Sequence, residues 1–257
     1  MHATTKIAVA GATGRVGRHV VDVLAERGHD VVPISRSHGV DVIAGTGLRE
    51  ALEGVDSVID VATGPSPAEQ EATEFFTTAA RNLQQVGEEA GVRRIVVVSI
   101  IATDKFTGGY GAAKVAHEQA ALAGPIPAAI LRAAQFHEFV EELVNWGRQG
   151  EVSYVQPMRT QLVAARTVAE ALADLATGPD APFARGSASP EIAGPREERL
   201  AEMARLLVAH RGESLRIEEM RNADDPDAEL YESGALLPGP DATLAGPTFA
   251  EWLQTAD

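Results

Sequence analysis

The chain has 257 residues, of which 45% are hydrophobic and 23% are charged, and its formal net charge is −15. This length and apolar content suffice for one large α/β domain with a hydrophobic core, and they argue against disorder. The excess of acidic side chains argues against a nucleic-acid-binding surface, because phosphate binding requires clustered cations. The sequence contains no cysteine, which excludes disulfides, thiolate catalysis and cysteine-ligated metal sites.

Targeting and metal-binding signals are also missing from the sequence. No stretch approaches the roughly 20 consecutive apolar residues of a membrane-spanning helix, and residues 1–6 carry no hydrophobic signal segment. The seven histidines are scattered without metal-ligand spacing, so no metal is expected. We therefore expect a cytoplasmic protein with a small-molecule substrate and with neither a membrane nor a nucleic-acid partner. No feature of the sequence points to a particular oligomeric state.

Residues 6–24 combine a short apolar run, three glycines and an amphipathic pattern. The run predicts a buried parallel strand, and the pattern predicts a helix directly after it. Gly11 suits a tight turn, Gly14 a close approach of the backbone to a diphosphate, and Gly17 close packing of helix on strand. Unpaired amides at the helix N-terminus would bind the anion. The segment therefore predicts a dinucleotide site.

A second strand is predicted over residues 30–36, and no acidic residue follows at its carboxyl end. In dinucleotide-binding folds an acidic residue at this point binds ribose hydroxyls, whereas an arginine accommodates a 2′-phosphate. Arg36 can offer a planar fork to phosphate oxygens. The sequence therefore favours NADP(H), with NAD(H) less favoured. The alternative is a solvated arginine at a strand end.

The remaining elements are predicted from apolar runs, helical spacing and capping patterns. A capping box at Ser66 predicts the start of a long helix, and a second capping box predicts a helix starting at Thr167. Residues 178–190 predict a loop. Strands are expected at residues 40–43, 57–62, 95–101, 128–132, 152–155, 161–165, 190–194 and 215–220, and further helices at residues 48–52, 136–144, 197–210 and 248–253.

Tyr110 and Lys114 lie four residues apart after the strand that contains Ser99. On a helix this spacing places both side chains on one face. An ammonium beside a phenol lowers the phenol's pKa, so the tyrosine can exchange a proton with a carbinol or carbonyl oxygen. The pair suits hydride chemistry, and the alternative is an exposed helical pair without function. His137 lies off the apolar face of its predicted helix, where it either reaches a substrate or is structural.

The chain resembles the atypical short-chain dehydrogenase/reductases, specifically the NmrA-like NAD(P)-binding group of actinobacteria. The segments that carry this resemblance are residues 11–17, 35–36, 110–114 and 131–139, together with the strand ending in Ser99. The resemblance spans nearly the whole chain. It implies an α/β fold with a Rossmann-type doubly wound parallel sheet and a small C-terminal substrate-side subdomain. The Rossmann core is expected mainly in residues 1–150 and the substrate side mainly in residues 151–257. A sheet-completing segment is expected near residues 161–177, within one structural unit.

The resemblance also implies roles for individual residues. The diphosphate is expected to contact Gly11, Thr13, Gly14, Arg15, Val16 and Gly17, and the adenosine phosphate to contact Arg36 with Ser35 or Ser37. Ala62 and Thr63 would line the cofactor. Ser99 would orient a carbonyl, Tyr110 would relay the proton, and Lys114 would bind the nicotinamide ribose. Ile101, Phe136 and His137 would shape an apolar substrate pocket.

Two departures from the family pattern stand out. Residues 45–47 read Gly-Thr-Gly where many relatives have Gly-Asp-Leu, so an adenine contact must be made differently, and bulky Ile100 and Ile101 follow Ser99. The leading hypothesis is an NADPH-dependent reductase that transfers hydride to a small carbonyl, quinone or conjugated acceptor. The alternatives are an NADP(H)-sensing regulator without turnover and a non-redox isomerase or cyclase. A methyltransferase is disfavoured because that class would require an acidic residue near Arg36.

Overall fold

The computed structural model describes residues 4–184 and 186–255. Its strands are β1 (Lys6–Ala10), β2 (Asp30–Ile34), β3 (Ser57–Asp60), β4 (Arg94–Ile100), β5 (Ala128–Ala133), β6 (Arg148–Gln149), β7 (Val152–Val155), β8 (Arg159–Thr160), β9 (Glu191–Ala193), β10 (Glu198–Arg199), β11 (Arg216–Glu219) and β12 (Thr243–Leu244). Its α-helices are α1 (Arg15–Glu26), α2 (Leu48–Leu52), α3 (Glu69–Ala90), α4 (Gly109–Ala123), α5 (Phe139–Trp146), α6 (Ala165–Thr177), α7 (Leu200–His210), α8 (Ala228–Ser233) and α9 (Phe249–Leu253). The predictions for residues 1–6 and for the loop at 178–190 fall partly on residues 1–3 and Arg185, which lie outside the described residues.

Seven of the described strands form one parallel sheet in the order β2-β1-β3-β4-β5-β9-β12. The chain runs from β1 through α1 to β2 on one side, and then crosses to β3 on the other side of β1. A crevice therefore opens at the carboxyl ends of β1 and β3, which is where doubly wound sheets bind ligands. This topology confirms the predicted Rossmann-type α/β fold.

Helices cover both faces of the sheet, as a parallel sheet requires. In β1, Ile7 and Val9 pack with α1 and α6, whereas Ala8 and Ala10 pack with α2, α3 and α4. Successive side chains of a strand point to opposite faces, so β1 must be apolar at every position except its first. The sheet is thereby held between two helical layers, and its carboxyl edge is left to form the site.

The C-terminal part of the chain builds a further hydrophobic cluster from α5, α7 and α9 together with β7 and β11. Here β6, β7 and β11 form a three-stranded sheet, while β8 and β10 form an antiparallel pair. The sheet-completing segment expected near residues 161–177 contributes helix α6, which packs against α1 on one face of the sheet. The strands that extend the sheet are β9 and β12, which come later in the chain.

Two predicted strands are wrong. Residues 40–43 form a turn, because the Asp41 carboxylate accepts hydrogen bonds from the backbone amides of Ile43 (2.8 Å) and Ala44 (3.1 Å). Such side-chain bonds to the backbone compete with strand pairing. In the predicted strand at residues 161–165, only Val163 pairs, in a single bridge to Phe136.

Both sequence-predicted capping boxes are wrong as well. Helix α3 begins at Glu69 with Ala68 at its N-cap, and the Ser66 hydroxyl accepts a hydrogen bond from the Ala68 amide just before the helix. Helix α6 begins two residues before Thr167, and the Glu138 carboxylate accepts the hydrogen bond of its first amide, that of Ala165. A tertiary contact therefore replaces the predicted local cap. Within residues 4–184 and 186–255, no helix is long and apolar enough to cross a lipid bilayer.

Candidate functional site at the carboxyl edge of the sheet

The glycine turn between β1 and α1 leaves no room for a side chain at Gly11 or Gly17. Gly11 has φ +82°, and a Cβ atom there would lie 2.7 Å from the Cα of Ala62 at the end of β3. A Cβ at Gly17 would overlap the carbonyl oxygen of Gly11. The turn is therefore pressed against both β3 and the first turn of α1. This close packing is the arrangement that a dinucleotide-binding turn requires.

The N-terminus of α1 lies in this turn and fits an anion. Gly14 is its N-cap and offers no side chain, and the first turn contains no acidic residue. The first-turn amides and the helix dipole therefore favour a negative group at this end. Thr13 is exposed beside the turn, while Val16 is buried in the core. The residues present fit the diphosphate of a dinucleotide, which they would hold through backbone amides.

Arg15 makes a contact that the sequence did not predict. Its guanidinium forms an ion pair with Glu142 of α5 and lies 5.9 Å from the centroid of the Phe139 ring. Burial lowers the pKa of Arg15 from its usual value. Arg15 thus connects the glycine turn to helix α5. A diphosphate contact through the Arg15 backbone amide leaves this ion pair intact, whereas a contact through its guanidinium requires the ion pair to rearrange.

The carboxyl end of β2 carries a polar cluster. The Ser35 hydroxyl lies 2.9 Å from the hydroxyl of Ser37 and 2.7 Å from Nδ1 of His38. Arg36 is exposed in the same short 3-10 turn. Hydroxyls and a guanidinium at this point form a set of donors suited to a phosphate group. The role expected for these residues toward an adenosine phosphate stays a prediction.

At the end of β3, Ala62 and Thr63 follow the strand into the crevice. Ala62 is buried against Gly11, and Thr63 is exposed. The Ala62 amide donates to Oδ1 of Asp60 at 3.0 Å. Asp60 itself is almost fully buried, with 1% of its surface exposed. A buried carboxylate requires partners, and its second oxygen bonds to His117 of α4.

A buried chain of hydrogen bonds runs from Asp60 to Lys114. Nε2 of His117 lies 3.1 Å from Oδ2 of Asp60, and Nδ1 of His117 lies 2.9 Å from Nζ of Lys114. Nζ also donates to the carbonyl oxygen of Val98 in β4 at 2.8 Å and lies 4.5 Å from the centroid of the Phe76 ring. We name Asp60, His117 and Lys114 the buried triad.

Asp60 and His117 were not among the residues predicted from the sequence, although each left a signal there. Asp60 is a charged residue between the apolar pairs Val58-Ile59 and Val61-Ala62, and His117 lies three residues after Lys114, on the same helix face. Phe76 of α3 connects the triad to Tyr110, since it stacks on His117 at 4.6 Å and meets the Tyr110 ring edge-on at 5.7 Å. Tyr110 and Lys114 therefore belong to one cluster on α4.

The pKa values of Lys114, His117 and Tyr110 are shifted from their usual values, and the shift of Tyr110 is opposite to the one expected from the sequence. Burial lowers the pKa of Lys114 to about 8, partly opposed by the carboxylates of Asp60 and Glu118. Burial also lowers the pKa of His117, and the Lys114 ammonium lowers it further. Burial raises the pKa of Tyr110 to about 12. The expectation that Lys114 lowers the pKa of Tyr110 is therefore wrong for this conformation, because the ammonium bonds to Val98 and His117 instead.

Ser99 and Ile101 lie at the end of β4 and are each 2% exposed. The Ser99 hydroxyl lies 3.2 Å from the hydroxyl of Thr103, which in turn donates to the carbonyl of Ile100. Ala102 between them adopts the left-handed conformation with φ 63°, which is strained for a residue other than glycine. In the turn after β4 the Ser99 hydroxyl is thus bonded inside the protein. To donate to a substrate, as expected, Ser99 must give up its hydrogen bond with the Thr103 hydroxyl.

The residues expected to shape a substrate pocket lie mostly inside the protein. Ile101 belongs to the core on the α1 side of the sheet, and Phe136 is half-buried against that core. His137 is 1% exposed; its Nε2 bonds to the carbonyl of Pro247 at 3.1 Å and its ring meets Phe249 at 5.4 Å. Burial lowers the pKa of His137 to about 4. In this structure His137 therefore packs against the C-terminal segment that contains Pro247 and Phe249.

A second carboxylate holds the start of the helix that carries Tyr110. Asp227 of the C-terminal segment is 3% exposed. It accepts hydrogen bonds from the Thr107 amide (2.9 Å), the Thr107 hydroxyl (2.7 Å) and the Gly108 amide (3.0 Å). The Gly109 amide donates to Glu69 of α3 at 2.7 Å. The C-terminal segment therefore positions the N-terminus of α4. Among the described residues, no group of three or more His, Asp or Glu side chains could hold a metal ion.

Comparison with known proteins agrees with this geometry. A family model described as NAD(P)H-binding matches residues 11–179, which is more than half of the chain. The chain is 35% identical over 103 residues to L-arabinose 1-dehydrogenase (NAD(P)(+)) of Haloferax volcanii, covering 37% of this chain and 40% of that protein. It is 28% identical over 110 residues to the photosystem II assembly factor Ycf39 of Synechocystis sp., covering 37% and 34% respectively. The matched region thus spans well under two thirds of either curated relative.

Solved structures share the fold at low sequence identity. MoeE5 in complex with UDP-glucuronic acid and NAD superposes with a TM-score of 0.71 at 20% identity, covering 97% of both chains. A short-chain dehydrogenase/reductase superfamily protein from Agrobacterium tumefaciens with bound NAD superposes with a TM-score of 0.67 at 19% identity, covering 98% of this chain and 95% of that one. Since the family model covers more than half of the chain, the protein belongs to the family described as NAD(P)H-binding, and the glycine turn and the parallel sheet agree with this assignment.

Proposed function

We propose that the protein is an NAD(P)H-dependent oxidoreductase that prefers NADPH and reduces a small carbonyl, quinone or conjugated acceptor. The observation that carries this proposal is the series of contacts that links the glycine turn to the face of α4. Gly11 packs on Ala62, whose amide bonds to Asp60, and Asp60 connects through His117 to Lys114. A bound nicotinamide supplies the hydride. Tyr110 would donate the proton to the acceptor oxygen, and Lys114 would bind the nicotinamide ribose.

The cluster suits this chemistry but requires one rearrangement. A phenol is protonated at neutral pH even at its usual pKa of about 10, and partial desolvation raises the pKa of Tyr110 further, to about 12, although 36% of the residue remains exposed to solvent and to a substrate. A protonated phenol can act as a general acid toward a carbonyl that gains hydride. The Lys114 ammonium must then exchange its weakest contact, the Phe76 ring, for a ribose hydroxyl. Its bonds to Val98 and His117 can remain in place.

The preference for NADPH depends on Arg36, and it can be tested by binding. Charge-assisted hydrogen bonds contribute about 1.5–3 kcal/mol each, so losing one should raise the dissociation constant about tenfold or more. We expect Arg36→Ala to weaken NADPH binding by this factor and to leave NADH binding within about twofold. Arg81→Ala, on the exposed outer face of α3, is the matched control. A wild-type preference for NADH, or equal losses for both nucleotides, would contradict the proposal.

Turnover is tested with Tyr110→Phe on a panel of carbonyls and quinones with NADPH. General acid catalysis contributes about 10²–10⁴-fold to rate, so we expect Tyr110→Phe to lose at least about 100-fold in kcat. Tyr154→Phe, in β7, keeps the same chemical change away from the cluster and should retain full turnover. Unchanged turnover in Tyr110→Phe would show that Tyr110 is not the proton donor.

A cofactor-sensing regulator without turnover is the second candidate. The observation that favours it is that Lys114 bonds to Val98, His117 and Phe76 and does not lower the pKa of Tyr110. This candidate predicts nucleotide binding without hydride consumption on the whole panel, together with a protein partner that is released when NADPH is exchanged for NADP⁺. A non-redox isomerase or cyclase would instead turn over substrate with no net loss of NADPH.

A further inference from the structure

The buried triad joins an amine, an imidazole and a carboxylate by direct hydrogen bonds. We propose that Asp60 and His117 are positioning residues that share a proton with Lys114, so that a proton moves between the Lys114 amine and the His117 imidazole without changing the net charge of the cluster. The contribution of this exchange to reduction rests on the proposed function. The exchange itself does not, since it requires neither substrate nor turnover.

The direction of each hydrogen bond in the buried triad follows from the groups at its two ends, Asp60 and Lys114. Asp60 accepts at Oδ1 from the Ala62 amide, and its other oxygen, Oδ2, faces Nε2 of His117 at 3.1 Å. A carboxylate only accepts hydrogen bonds, so Nε2 carries the hydrogen. Nδ1 is then the acceptor for Nζ of Lys114 at 2.9 Å. The same order of donor, imidazole and carboxylate lets a histidine act as a base in catalytic triads.

The Lys114 ammonium has its three donors engaged. They are directed to the Val98 carbonyl (2.8 Å), to His117 (2.9 Å) and toward the Phe76 ring, whose centroid is 4.5 Å away. Lys114 is 4% exposed and His117 is 1% exposed. A charge so deeply buried requires a compensating carboxylate, and Asp60 supplies it through the imidazole. The lysine is thereby held in one position by two strands and its own helix.

The proposed step transfers only a proton. The Nζ–H bond of Lys114 breaks as a bond forms at Nδ1 of His117, which leaves a neutral amine with its lone pair and an imidazolium hydrogen-bonded to Asp60. The triad carries one positive and one negative charge before and after the transfer. The other charged groups facing His117 are Glu118 on α4 and, through their ion pair (2.8 Å), Arg132 of β5. Phe76 of α3 covers the imidazole with an apolar face.

The exchange has a consequence for the proposed reductase. The neutral amine has one lone pair, which accepts the hydrogen bond of the newly formed Nδ1–H of His117, so Lys114 keeps an N–H for a ribose hydroxyl in both forms. Lys114 therefore serves as a donor at the site whether the positive charge is on the lysine or on the imidazole. Burial lowers the pKa of Lys114 to about 8, which narrows its gap to the imidazole, while burial and the Lys114 ammonium also lower the pKa of His117, so the ammonium is the major form and the imidazolium the minor one.

The chain is well suited to a direct measurement because it contains only three lysines, Lys6, Lys105 and Lys114. We would label the protein with [13C]lysine and [15N]histidine and follow Lys114 Cε and the His117 ring nitrogens by NMR as a function of pH. If one proton serves both residues, its loss must appear at both at a single midpoint, near pH 8. Separate midpoints for Lys114 and His117 would overturn the proposal.

A variant tests the role of the carboxylate. In Asp60→Asn the amide can donate to Nε2, which moves the histidine hydrogen to Nδ1, so that His117 faces Lys114 with a donor. We expect the nitrogen shifts to show this reversed tautomer and the Lys114 midpoint to fall by at least one pH unit. Asp241→Asn, at an exposed C-terminal position, should leave both unchanged. An unchanged Lys114 midpoint in Asp60→Asn would overturn the proposal.

If Asp60→Asn does not fold, the wild-type tautomer offers a second way to refute the proposal, and the shared midpoint in the wild-type protein remains the result that supports it. The proposal requires wild-type His117 to carry its hydrogen at Nε2 with Nδ1 unprotonated or partly protonated. A fixed Nδ1–H tautomer in the wild-type protein would refute it. Since the measurement uses no substrate, a failed search for turnover would count against the proposed function and leave this result untouched.

Discussion

Replacing Gly11 by alanine separates two costs that the glycine turn avoids. Gly11 and Gly28 have nearly the same left-handed conformation, with φ of +82° and +80°. A Cβ at Gly28, just after α1, would have nothing within 4 Å, whereas a Cβ at Gly11 would lie 2.7 Å from the Ala62 Cα and 2.8 Å from the Val61 carbonyl oxygen. The two substitutions therefore share the conformational cost, and only Gly11→Ala adds a steric one.

The expected magnitudes follow from these two terms. The left-handed conformation costs a non-glycine residue about 1–2 kcal/mol, so Gly28→Ala should lower the free energy of unfolding by that amount. Overpacking against backbone costs typically a further ~1–3 kcal/mol, so Gly11→Ala should lose about 2–5 kcal/mol in total. We expect Gly11→Ala also to lose NADPH affinity, because the turn must move away from β3, while Gly28→Ala should bind as the wild type does.

Urea unfolding followed by circular dichroism measures both variants against the wild type, with NADPH titration in parallel. The slope of unfolding free energy against urea concentration should stay constant, because the surface exposed on unfolding does not change. Equal losses of stability in the two variants would show that β3 yields to the added methyl group. That result would refute the inference that the turn is pressed against the end of β3.

Three further outcomes are expected. Gly14→Ala should have an unfolding free energy within about 1 kcal/mol of that of the wild type, since the φ of −75° at Gly14 suits alanine. Calorimetric titration should nevertheless show NADPH binding weakened about tenfold or more; unchanged affinity would argue against the diphosphate site. Asp227→Ala should lower the unfolding free energy in urea by about 1.5–3 kcal/mol, because the part-buried amides of Thr107 and Gly108 lose a charged acceptor; a neutral result would mean that α4 is held without it. The pKa of Lys114 falls from 10.5 to about 8 on folding, so the unfolded chain binds more protons between these pH values. The unfolding free energy of the wild type, measured relative to that of Lys114→Met, should therefore increase from pH 7 through 8.5 to 10, by up to about 3 kcal/mol in total. The same pH dependence in both proteins would contradict the lowered pKa of Lys114.

The helices and strands show where local patterns suffice and where they do not. The strand at residues 40–43 was expected from β-branched residues alone, yet the Asp41 side chain bonds to the backbone and forms a turn. The capping boxes at Ser66 and Thr167 have the right spacing, but their helices begin elsewhere because other contacts satisfy the first amides. For α6 that contact is Glu138, which lies 27 residues before Ala165 in the chain. Local hydrogen-bonding patterns compete with such tertiary partners, and the partners are not visible in a short window of sequence.

The sequence by itself determined the strand–turn–helix at Gly11–Gly17, the parallel α/β architecture and the presence of Tyr110 and Lys114 on one helix. These features depend on backbone conformation, on the period of apolar residues and on helical spacing, all of which are local. Only the tertiary structure decided what the charged side chains do. Lys114 bonds to His117, whose other nitrogen bonds to Asp60, 57 residues away in sequence. The protonation of a long, buried side chain depends on its desolvation and its partners, and the fold supplies both from distant segments.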